Sequence, residues 1–252
     1  MKMNLSGKHA LVTGGGTGIG LAIARALADA GAEVTITGRR IEVLESVSGP
    51  SLHPLVMDVN SEESVRAGVQ AATAARGPVT ICIANAGIAE GKAIHKSSLE
   101  DWRKIRTTNL DGAFLTIRDC LDGMHEAGWG RVIAISSIAG VRGLKGAGAY
   151  TASKHGVLGL IRALAADYAG KDITFNALCP AYVDTAIVER NIDNISARAG
   201  ISEAEARDIM VKTNAHKRLI STEEVAEAAL WLCSEMSGSV NGQAIQIAGG
   251  EV

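Results

Sequence analysis

The sequence has 252 residues, enough to bury a sizeable core in one α/β unit. Its 25 basic and 27 acidic residues give a formal net charge of −2, without the basic excess that favours nucleic acid or an anionic membrane as a partner. No apolar run approaches the ~20 residues of a membrane span, and the first residues lack a signal-peptide core, so we expect a cytoplasmic protein. Four cysteines lie far apart, and we expect them to be reduced and buried: Cys82, Cys120, Cys179 and Cys233.

The chain opens with a strand, a glycine-rich turn and a helix. Residues 9–13 form a short apolar run, and the helix after the turn repeats apolar residues at Ile19, Ile23 and Leu27. Glycines let a ligand approach the backbone, and a helix N-terminus offers unpaired N–H groups and the positive end of a dipole. This order of elements predicts a site for the pyrophosphate of a dinucleotide, and the alternative is a tight turn without a ligand. The candidate cofactor-binding residues of the turn are Gly14, Gly16, Thr17, Gly18, Ile19 and Gly20.

Strand patterns and helix patterns alternate along the rest of the sequence. Serines followed by acidic residues mark helix starts at Ser61, Ser97, Ser202 and Ser221, and the helix from Ser97 is expected to be long. Further strands are predicted at 33–37, 52–57, 79–84, 131–136, 173–178 and 243–247. The alternation predicts one domain over residues 1–252, of the α/β class, with a Rossmann-type, doubly wound parallel sheet of seven strands and helices on both faces.

Conspicuous polar residues and glycines follow several of these strands. Asp58 comes after the third strand, Asn85 after the fourth, Ser137 after the fifth and Pro180 after the sixth. Ligands of open parallel sheets bind outside the carboxyl ends of the strands. The sequence therefore predicts a single site along this edge of the sheet.

Tyr150 and Lys154 are four residues apart on a predicted helix, so their side chains lie on the same face. An ammonium ~5 Å from a phenol favours the phenolate by ~3 kcal/mol, or roughly two pKa units, at an effective dielectric near 20. This pairing predicts a Tyr150 pKa that is lowered toward neutrality, where the phenol can exchange a proton with a substrate. The alternative is a tyrosine and a lysine that extend to solvent from the edge of a core helix.

At these positions the sequence resembles the short-chain dehydrogenase/reductase family, in its single-domain branch, over essentially the whole chain. Thr13 to Gly20 matches the cofactor turn of that family. Asn85-Ala86-Gly87 matches its fourth-strand motif, although Ala84 stands where another Asn is usual. The segment that cups the nicotinamide is matched by Asn176, Pro180 and Thr185, and Ala181 replaces the usual glycine after the proline.

The catalytic tetrad of the family is matched by Asn109, Ser137, Tyr150 and Lys154. The resemblance implies hydride transfer between a nicotinamide and a ketone or secondary alcohol, with Tyr150 as the acid or base. Ser137 would donate a hydrogen bond to the carbonyl oxygen. Lys154 would lower the Tyr150 pKa and bind the nicotinamide ribose, and Asn109 would hold a water that connects Lys154 to solvent. Taken alone, Ser137 could simply be a turn residue at a strand end. Asn109 could simply be a helix residue whose side chain bonds to backbone.

The other cofactor contacts implied by the resemblance extend along the carboxyl edge of the sheet. They are Arg39, Asp58, Val59, Asn85, Ala86, Gly87, Pro180, Val183 and Thr185, together with Tyr150 and Lys154.

The choice between NADH and NADPH depends on the end of the second strand. An acidic residue there binds the ribose 2′-hydroxyl and repels a 2′-phosphate. This sequence has Gly38 followed by Arg39, and a guanidinium can grip a phosphate with paired hydrogen bonds. We therefore expect NADP(H) to be favoured, with NAD(H) possible, since Thr17 supplies no second basic residue and Arg39 could instead stack on the adenine.

The substrate is the least defined part of the prediction. The resemblance implies a substrate lid at about 184–218, and the chain looks most like ketoreductases of 3-oxoacyl, 3-hydroxybutyrate-type and polyketide substrates, including coenzyme A or acyl-carrier thioesters. Seven basic residues could meet an acidic group or equally be surface charges: Arg142, Lys145, Arg190, Arg198, Lys212, Lys217 and Arg218. A sugar-nucleotide epimerase or dehydratase, and a catalytically silent scaffold subunit, are the alternative functions. Epimerases usually carry a separate substrate domain, and silent subunits usually lose the tyrosine or lysine of the tetrad.

Two expectations concern assembly and metals. The resemblance implies a homotetramer, with a dimer as the second possibility, built from the long helix, the Tyr150 helix and the tail at 243–252. Histidines show no metal-ligand spacing, and we expect no catalytic metal. His155 should point away from Lys154, because adjacent helix positions are about 100° apart.

Overall fold

Residues 3–250 are described by the computed structural model, apart from seven side chains in two helices near residue 200. The chain forms a parallel sheet of seven strands in the order β3-β2-β1-β4-β5-β6-β7. The strands are β1 His9–Thr13, β2 Glu33–Gly38, β3 Leu52–Val56, β4 Ile81–Ala84, β5 Gly130–Ile135, β6 Ile173–Pro180 and β7 Ala244–Ile247. The predicted fold class is confirmed, because β1 lies between β2 and β4 and the strand order reverses there, as in a doubly wound sheet.

Helices connect the strands and cover both faces of the sheet. They are α1 Gly18–Asp29, α2 Ile41–Glu45, α3 Glu62–Arg76, α4 Leu99–Arg106, α5 Gly112–Ala127, α6 Gly148–Asp167, α7 Ala186–Ala199, α8 Glu203–Thr213 and α9 Thr222–Leu232. A π-helical turn, Thr107–Asp111, joins α4 to α5, so the predicted long helix is continuous but locally widened. In residues 3–250, no helix is both long enough and apolar enough to span a bilayer.

The alternating side chains of the central strand divide the core into two layers. Ala10 and Val12 of β1 pack with α1 and α9 on one face, whereas Leu11 packs with α3, α5 and α6 on the other. Each layer is made mainly of aliphatic side chains, as the low aromatic content predicts. A sheet covered on both faces can present a ligand site only at its edges or ends.

The predicted helix starts are confirmed at Ser61, Ser202 and Ser221, whose hydroxyls accept hydrogen bonds from the first turn. The predicted start at Ser97 is wrong by one residue. Ser98 forms the capping box with Asp101, because its hydroxyl accepts from the Asp101 N–H and its own N–H donates back to the carboxylate. The Ser97 hydroxyl donates instead to the Ala93 carbonyl and closes the preceding turn.

The first strand has the predicted bounds, and the other strands differ from the predictions by at most two residues at either end. The largest differences lie in β4, which begins at Ile81, and in β6, which extends to Pro180. Pro180 lacks an N–H, but it still pairs in register with Ile247, and the next N–H, that of Ala181, donates to the Ile247 carbonyl. This extension carries β6 to the edge where the site is predicted.

Candidate active site

The glycine turn between β1 and α1 is shaped by contacts that exclude side chains. Gly14 and Gly18 have φ values of 63° and 53°, in the left-handed region that glycine adopts without strain. A Cβ atom on Gly20 would lie 2.4 Å from the Gly14 carbonyl oxygen and 2.5 Å from Nδ2 of Asn85. The turn is therefore held against the first turn of α1 as tightly as two backbones allow.

The N-terminus of α1 lacks the side-chain cap that several other helices carry. The Thr17 side chain makes no capping hydrogen bond, in contrast to the capping serines of α3 and α9. The first-turn N–H groups of α1 thus stay available as hydrogen-bond donors, at the positive end of the helix dipole. Gly16, Ile19 and the rest of the turn surround this helix end, and the arrangement fits the pyrophosphate of a dinucleotide.

Asn85 and Thr13 lock the end of β4 to the glycine turn. Nδ2 of Asn85 donates to the Thr13 carbonyl at 2.8 Å and to the Gly14 carbonyl at 3.3 Å. The Thr13 hydroxyl accepts hydrogen bonds from the N–H groups of Asn85 and Ala86, at 2.9 and 3.0 Å. These four hydrogen bonds fix the relative position of the ends of β1 and β4, so Asn85 and Ala86 help to set the backbone of the cofactor turn.

The end expected to bind adenosine contains Arg39, Asp58 and Val59. Arg39 is exposed at the end of β2 and forms no ion pair with any residue that the structure describes. Asp58 accepts a hydrogen bond from the Asn60 N–H, and its own N–H donates to the Ser64 hydroxyl, so the turn before α3 is fixed. Val59 is buried against Gly112, where a Cβ would lie 2.9 Å away.

Asn109 lies in the π-helical turn and is buried. Its Oδ1 accepts from the Ile88 N–H at 2.8 Å, and its Nδ2 donates to the Ile88 carbonyl at 2.9 Å and to the Ser153 hydroxyl at 3.1 Å. The Ser153 hydroxyl in turn donates to the Tyr150 carbonyl at 2.7 Å. π-helical turns are frequent at functional sites, and this one lets a single amide join the loop after β4 to the start of α6.

Ser137, Tyr150 and Lys154 converge where β5 ends and α6 begins. Ser137 has an extended backbone and starts the short turn Ile138–Gly140, and its hydroxyl, which accepts from the Ala139 N–H at 3.1 Å, lies near the Tyr150 side chain. The buried Lys154 donates from Nζ to the Ile135 carbonyl at 2.7 Å. Its Nζ lies 5.8 Å from the centre of the Tyr150 ring. Three members of the predicted tetrad are thus brought together.

Burial sets the proton affinities of these two groups. Burial raises the pKa of Tyr150, and the nearby Ser137 hydroxyl only partly opposes this shift. Burial also lowers the pKa of Lys154 to about 8. The predicted lowering of the Tyr150 pKa by Lys154 is therefore wrong for this structure, because the ammonium is directed to the Ile135 carbonyl and both groups are desolvated.

Gly87 connects the tetrad with the cofactor turn. A Cβ on Gly87 would lie 3.2 Å from Oδ1 of Asn109 and 3.5 Å from Nζ of Lys154. Since Gly87 follows Asn85 and Ala86 directly, three consecutive residues contact both halves of the site. The cofactor turn and the tetrad thus adjoin at the carboxyl edge of the sheet, and the space along this edge is called the cleft below.

The segment after β6 closes the other side of this cleft. Val183 is buried, and the Thr185 hydroxyl donates to its carbonyl at 3.3 Å. A Cβ on Gly18 would lie 3.4 Å from Cγ2 of Thr185, so the segment that begins at Pro180 reaches back to the glycine turn. Pro180, Val183 and Thr185 therefore lie between the cofactor turn and α7.

The predicted basic residues are not gathered at one point of the site. Arg218 forms a bidentate ion pair with Glu224, and Lys212 pairs with Asp208 at 4.0 Å, so both are engaged on the surface. Lys145 is exposed in the loop before α6. The seven side chains outside the description include Arg190 and Arg198, with Ile187, Asn191, Asn194, Ile195 and Thr213.

His155 is exposed and bonds to the Thr151 carbonyl, as its helix position predicts. Among residues 3–250, no group of three or more histidine, cysteine or acidic side chains could hold a metal ion. All four cysteines are buried and free. Two residues of the site have no motif in the sequence that would have revealed them: Tyr182, between Pro180 and Val183, and Asn214, whose side chain bonds to it.

A protein-family model described as short chain dehydrogenase matches residues 8–196. The chain belongs to the short-chain dehydrogenase family. D-beta-hydroxybutyrate dehydrogenase of Rhizobium meliloti is 36% identical, and the alignment covers 96% of this chain and 98% of the relative. The 3-oxoacyl-acyl-carrier-protein reductase of Aquifex aeolicus is 34% identical, with 99% of each chain covered. The solved structure of actinorhodin polyketide ketoreductase with NADPH has a TM-score of 0.94 and 34% identity, and the match covers 100% of this chain and 99% of that one.

As a short-chain dehydrogenase, the protein is an oxidoreductase that uses NAD(P)(H). The glycine turn without a side-chain cap on α1 is the feature of this structure that fits such a cofactor. The roles of Asn109, Ser137, Tyr150 and Lys154 stay predictions that the geometry of the cleft supports.

Proposed function

We propose that the protein is an NADP(H)-preferring ketoreductase that interconverts a 3-oxoacyl-type ketone and the corresponding secondary alcohol. The observation that carries this proposal is that Ser137, Tyr150 and Lys154 converge where β5 ends and α6 begins, with Nζ of Lys154 5.8 Å from the centre of the Tyr150 ring, next to the glycine turn. The names of the relatives support the same class of substrate, since they refer to hydroxybutyrate, 3-oxoacyl and polyketide compounds.

A nicotinamide bound beside these residues would supply a hydride to the carbonyl carbon in the reducing direction and accept one in the oxidising direction. Ser137 donates a hydrogen bond to the carbonyl oxygen of the ketone and orients it. Tyr150 gives its phenolic proton to the same oxygen, which becomes the hydroxyl of the alcohol. The raised pKa of Tyr150 keeps the phenol protonated at neutral pH, which is the state that reduction requires.

Lys154 is expected to replenish the Tyr150 proton and to bind the nicotinamide ribose. Its pKa of about 8 lies near neutrality, so the ammonium can release a proton at modest free-energy cost. Asn109 shapes the loop that ends near Lys154, and we propose that it also helps to hold the water that links Lys154 to solvent.

The preference for NADPH rests on Arg39. This side chain is exposed at the end of β2, beside Gly38, and it has no acidic partner among the described residues. A guanidinium at this place can form charge-assisted hydrogen bonds with a 2′-phosphate. NADH remains usable, because nothing near Arg39 excludes a free ribose hydroxyl.

We further propose a cytoplasmic homotetramer in which the helical surfaces of α4, α5 and α6 and the last strand meet other copies. Exposed apolar side chains on α4 and α5 support this proposal, with Leu99 at 61% and Phe114 at 44% exposure. Four free, buried cysteines fit a reducing compartment. α7 and α8 occupy the segment proposed as the substrate lid. Light scattering at micromolar concentration tests the assembly, and a mass of one chain, 26.1 kDa, would exclude it.

The activity is tested by following cofactor oxidation with NADPH and with NADH on a panel of ketones. The panel contains 3-oxoacyl thioesters of coenzyme A, the free 3-oxo acids and aryl ketones. The proposal expects NADPH-dependent reduction of the thioesters, and loss of turnover in Tyr150→Phe with cofactor binding retained. Turnover of sugar nucleotides without net cofactor oxidation would instead indicate the epimerase alternative.

A further inference from the structure

Asn214 is a buried residue directly after α8, and its carboxamide is fully hydrogen-bonded to backbone. Its Oδ1 accepts from the Tyr182 N–H at 3.1 Å. Its Nδ2 donates to the Tyr182 carbonyl at 3.0 Å and to the Arg218 carbonyl at 2.7 Å. One side chain thus pairs with both polar groups of Tyr182, as a neighbouring strand would.

These partners determine which way the amide of Asn214 points. Two carbonyl oxygens face one side of the group and one N–H faces the other. Reversing the amide would bring its oxygen against two carbonyl oxygens and its NH2 against an N–H donor. Asparagine therefore fits this position, and an isosteric aspartate does not.

Asn214 holds the segment that leaves β6 at the point between two proposed nicotinamide contacts. Tyr182 lies between Pro180 and Val183 in the sequence. On one side of it, the Ala181 N–H donates to the Ile247 carbonyl. On the other side, backbone bonds of Tyr182 and Asp184 to Ile220 hold the chain. The N–H of Tyr182 lies between these two sets of backbone bonds, and it donates its hydrogen bond to the side chain of Asn214.

We propose that Asn214 is a positioning residue for the nicotinamide, which it serves by joining α8 of the proposed lid to the segment between Pro180 and Val183. It does not touch the cofactor in this arrangement. Instead it fixes the backbone segment that contacts the nicotinamide, and the position of that segment therefore depends on α8. The proposal rests on the proposed function, because it assumes that this segment contacts the nicotinamide.

A merely structural role for Asn214 would lower stability and leave the cofactor affinity of the folded protein unchanged. A positioning role predicts a loss that is confined to the nicotinamide half of the cofactor. The distinguishing measurement is calorimetric binding of NADPH and of 2′-phospho-ADP-ribose, which lacks the nicotinamide ring. Neither measurement needs a substrate, so the result is independent of which ketone is turned over.

The variants are Asn214→Ala, which removes all three hydrogen bonds, and Asn214→Asp, which removes both donors and adds a charge facing two carbonyls. Asn241→Ala is the matched control, since Oδ1 of Asn241 also accepts a backbone N–H, that of Phe175 at 2.8 Å, near the opposite end of β6. We expect both Asn214 variants to bind NADPH about tenfold more weakly than wild type, a loss of about 1.4 kcal/mol, with unchanged affinity for the fragment. The control should keep both affinities.

Equal affinities of wild type and the Asn214 variants for NADPH would overturn the proposal, as would a parallel loss for the fragment. If neither variant folds, hydrogen exchange of the wild type decides. NADPH, but not the fragment, should slow hydrogen exchange in peptides that cover 181–185 and also in those that cover 211–217. Protection of 181–185 without protection of 211–217 would refute the coupling. Failure of wild type to bind either cofactor would instead contradict the proposed function.

Discussion

Gly20 allows the strongest prediction from the geometry of the cofactor turn. Replacing it by alanine places a methyl group 2.4 Å from the Gly14 carbonyl oxygen and 2.5 Å from Nδ2 of Asn85. Carbon needs more than 3 Å from either atom, and the first of them is backbone. The turn must therefore move away from α1, or the Asn85 amide must leave the carbonyls of Thr13 and Gly14.

The expected loss of stability follows from two contributions to the free energy of unfolding. Overpacking of a tight contact costs about 1–3 kcal/mol, and one or two lost hydrogen bonds of Asn85 add about 1 kcal/mol each. The better helix propensity of alanine returns at most about 1 kcal/mol. The Gly20→Ala protein should therefore be about 2–4 kcal/mol less stable, which lowers Tm by roughly 5–15 °C for a chain of this length.

Two assays measure this prediction, namely thermal or denaturant unfolding and calorimetric binding of NADPH. Binding should weaken at least about tenfold, because the displaced turn no longer directs its N–H groups at the pyrophosphate. Gly49→Ala is the control, since Gly49 has an ordinary φ and a Cβ there would meet nothing within 4 Å. A Gly20→Ala protein that unfolds at the wild-type temperature and binds NADPH within twofold of wild type would show that the turn is not held as described.

Three further predictions concern cofactor choice, backbone strain and pH. In steady-state kinetics, the catalytic efficiency of wild type with NADPH should exceed that with NADH about ten- to hundredfold, and Gly38→Asp/Arg39→Leu should reverse this preference. Equal efficiencies of wild type with the two cofactors would exclude Arg39 as the residue that selects NADPH. Lys217 has a φ of 57°, so Lys217→Gly should raise the free energy of unfolding by up to about 1 kcal/mol in denaturant titrations, and a decrease would contradict the strain. Burial lowers the pKa of His9, whose ring bonds to the Gly77 carbonyl and the Thr35 hydroxyl. Below about pH 6.5 the folded state thus binds fewer protons than the unfolded state. As the pH falls further, the free energy of unfolding should decline by up to about 1.4 kcal/mol per pH unit, and His9→Gln should remove this slope.

Sequence reasoning succeeded where a residue type has one dominant physical use. Alternating strand and helix patterns predicted the sheet, and the glycines at the start of the chain predicted the turn between β1 and α1. The Ser61 and Ser221 caps were predicted from local hydrogen bonding alone. The start at Ser97 was wrong by one residue, because adjacent serines are equivalent in sequence and Asp101 decides between them.

Properties that depend on burial were not predictable from the spacing of residues. The i, i+4 spacing placed Tyr150 and Lys154 on one face correctly, but the direction of the Tyr150 pKa shift depends on how much water each group loses. The hydrogen bond from Lys154 to the Ile135 carbonyl involves a strand 19 residues away in sequence. A Coulomb estimate between two side chains contains neither effect.

Asn214 illustrates a second kind of limit. An asparagine after a helix usually suggests a local turn, whereas this one bonds to Tyr182, 32 residues earlier in the chain. The partner is an N–H at the point where β6 leaves the sheet, between the bonds to β7 and to Ile220. The requirement for asparagine thus arises from the topology at the edge of the sheet. Local sequence patterns therefore do not reveal residues that compensate for such exits from a sheet.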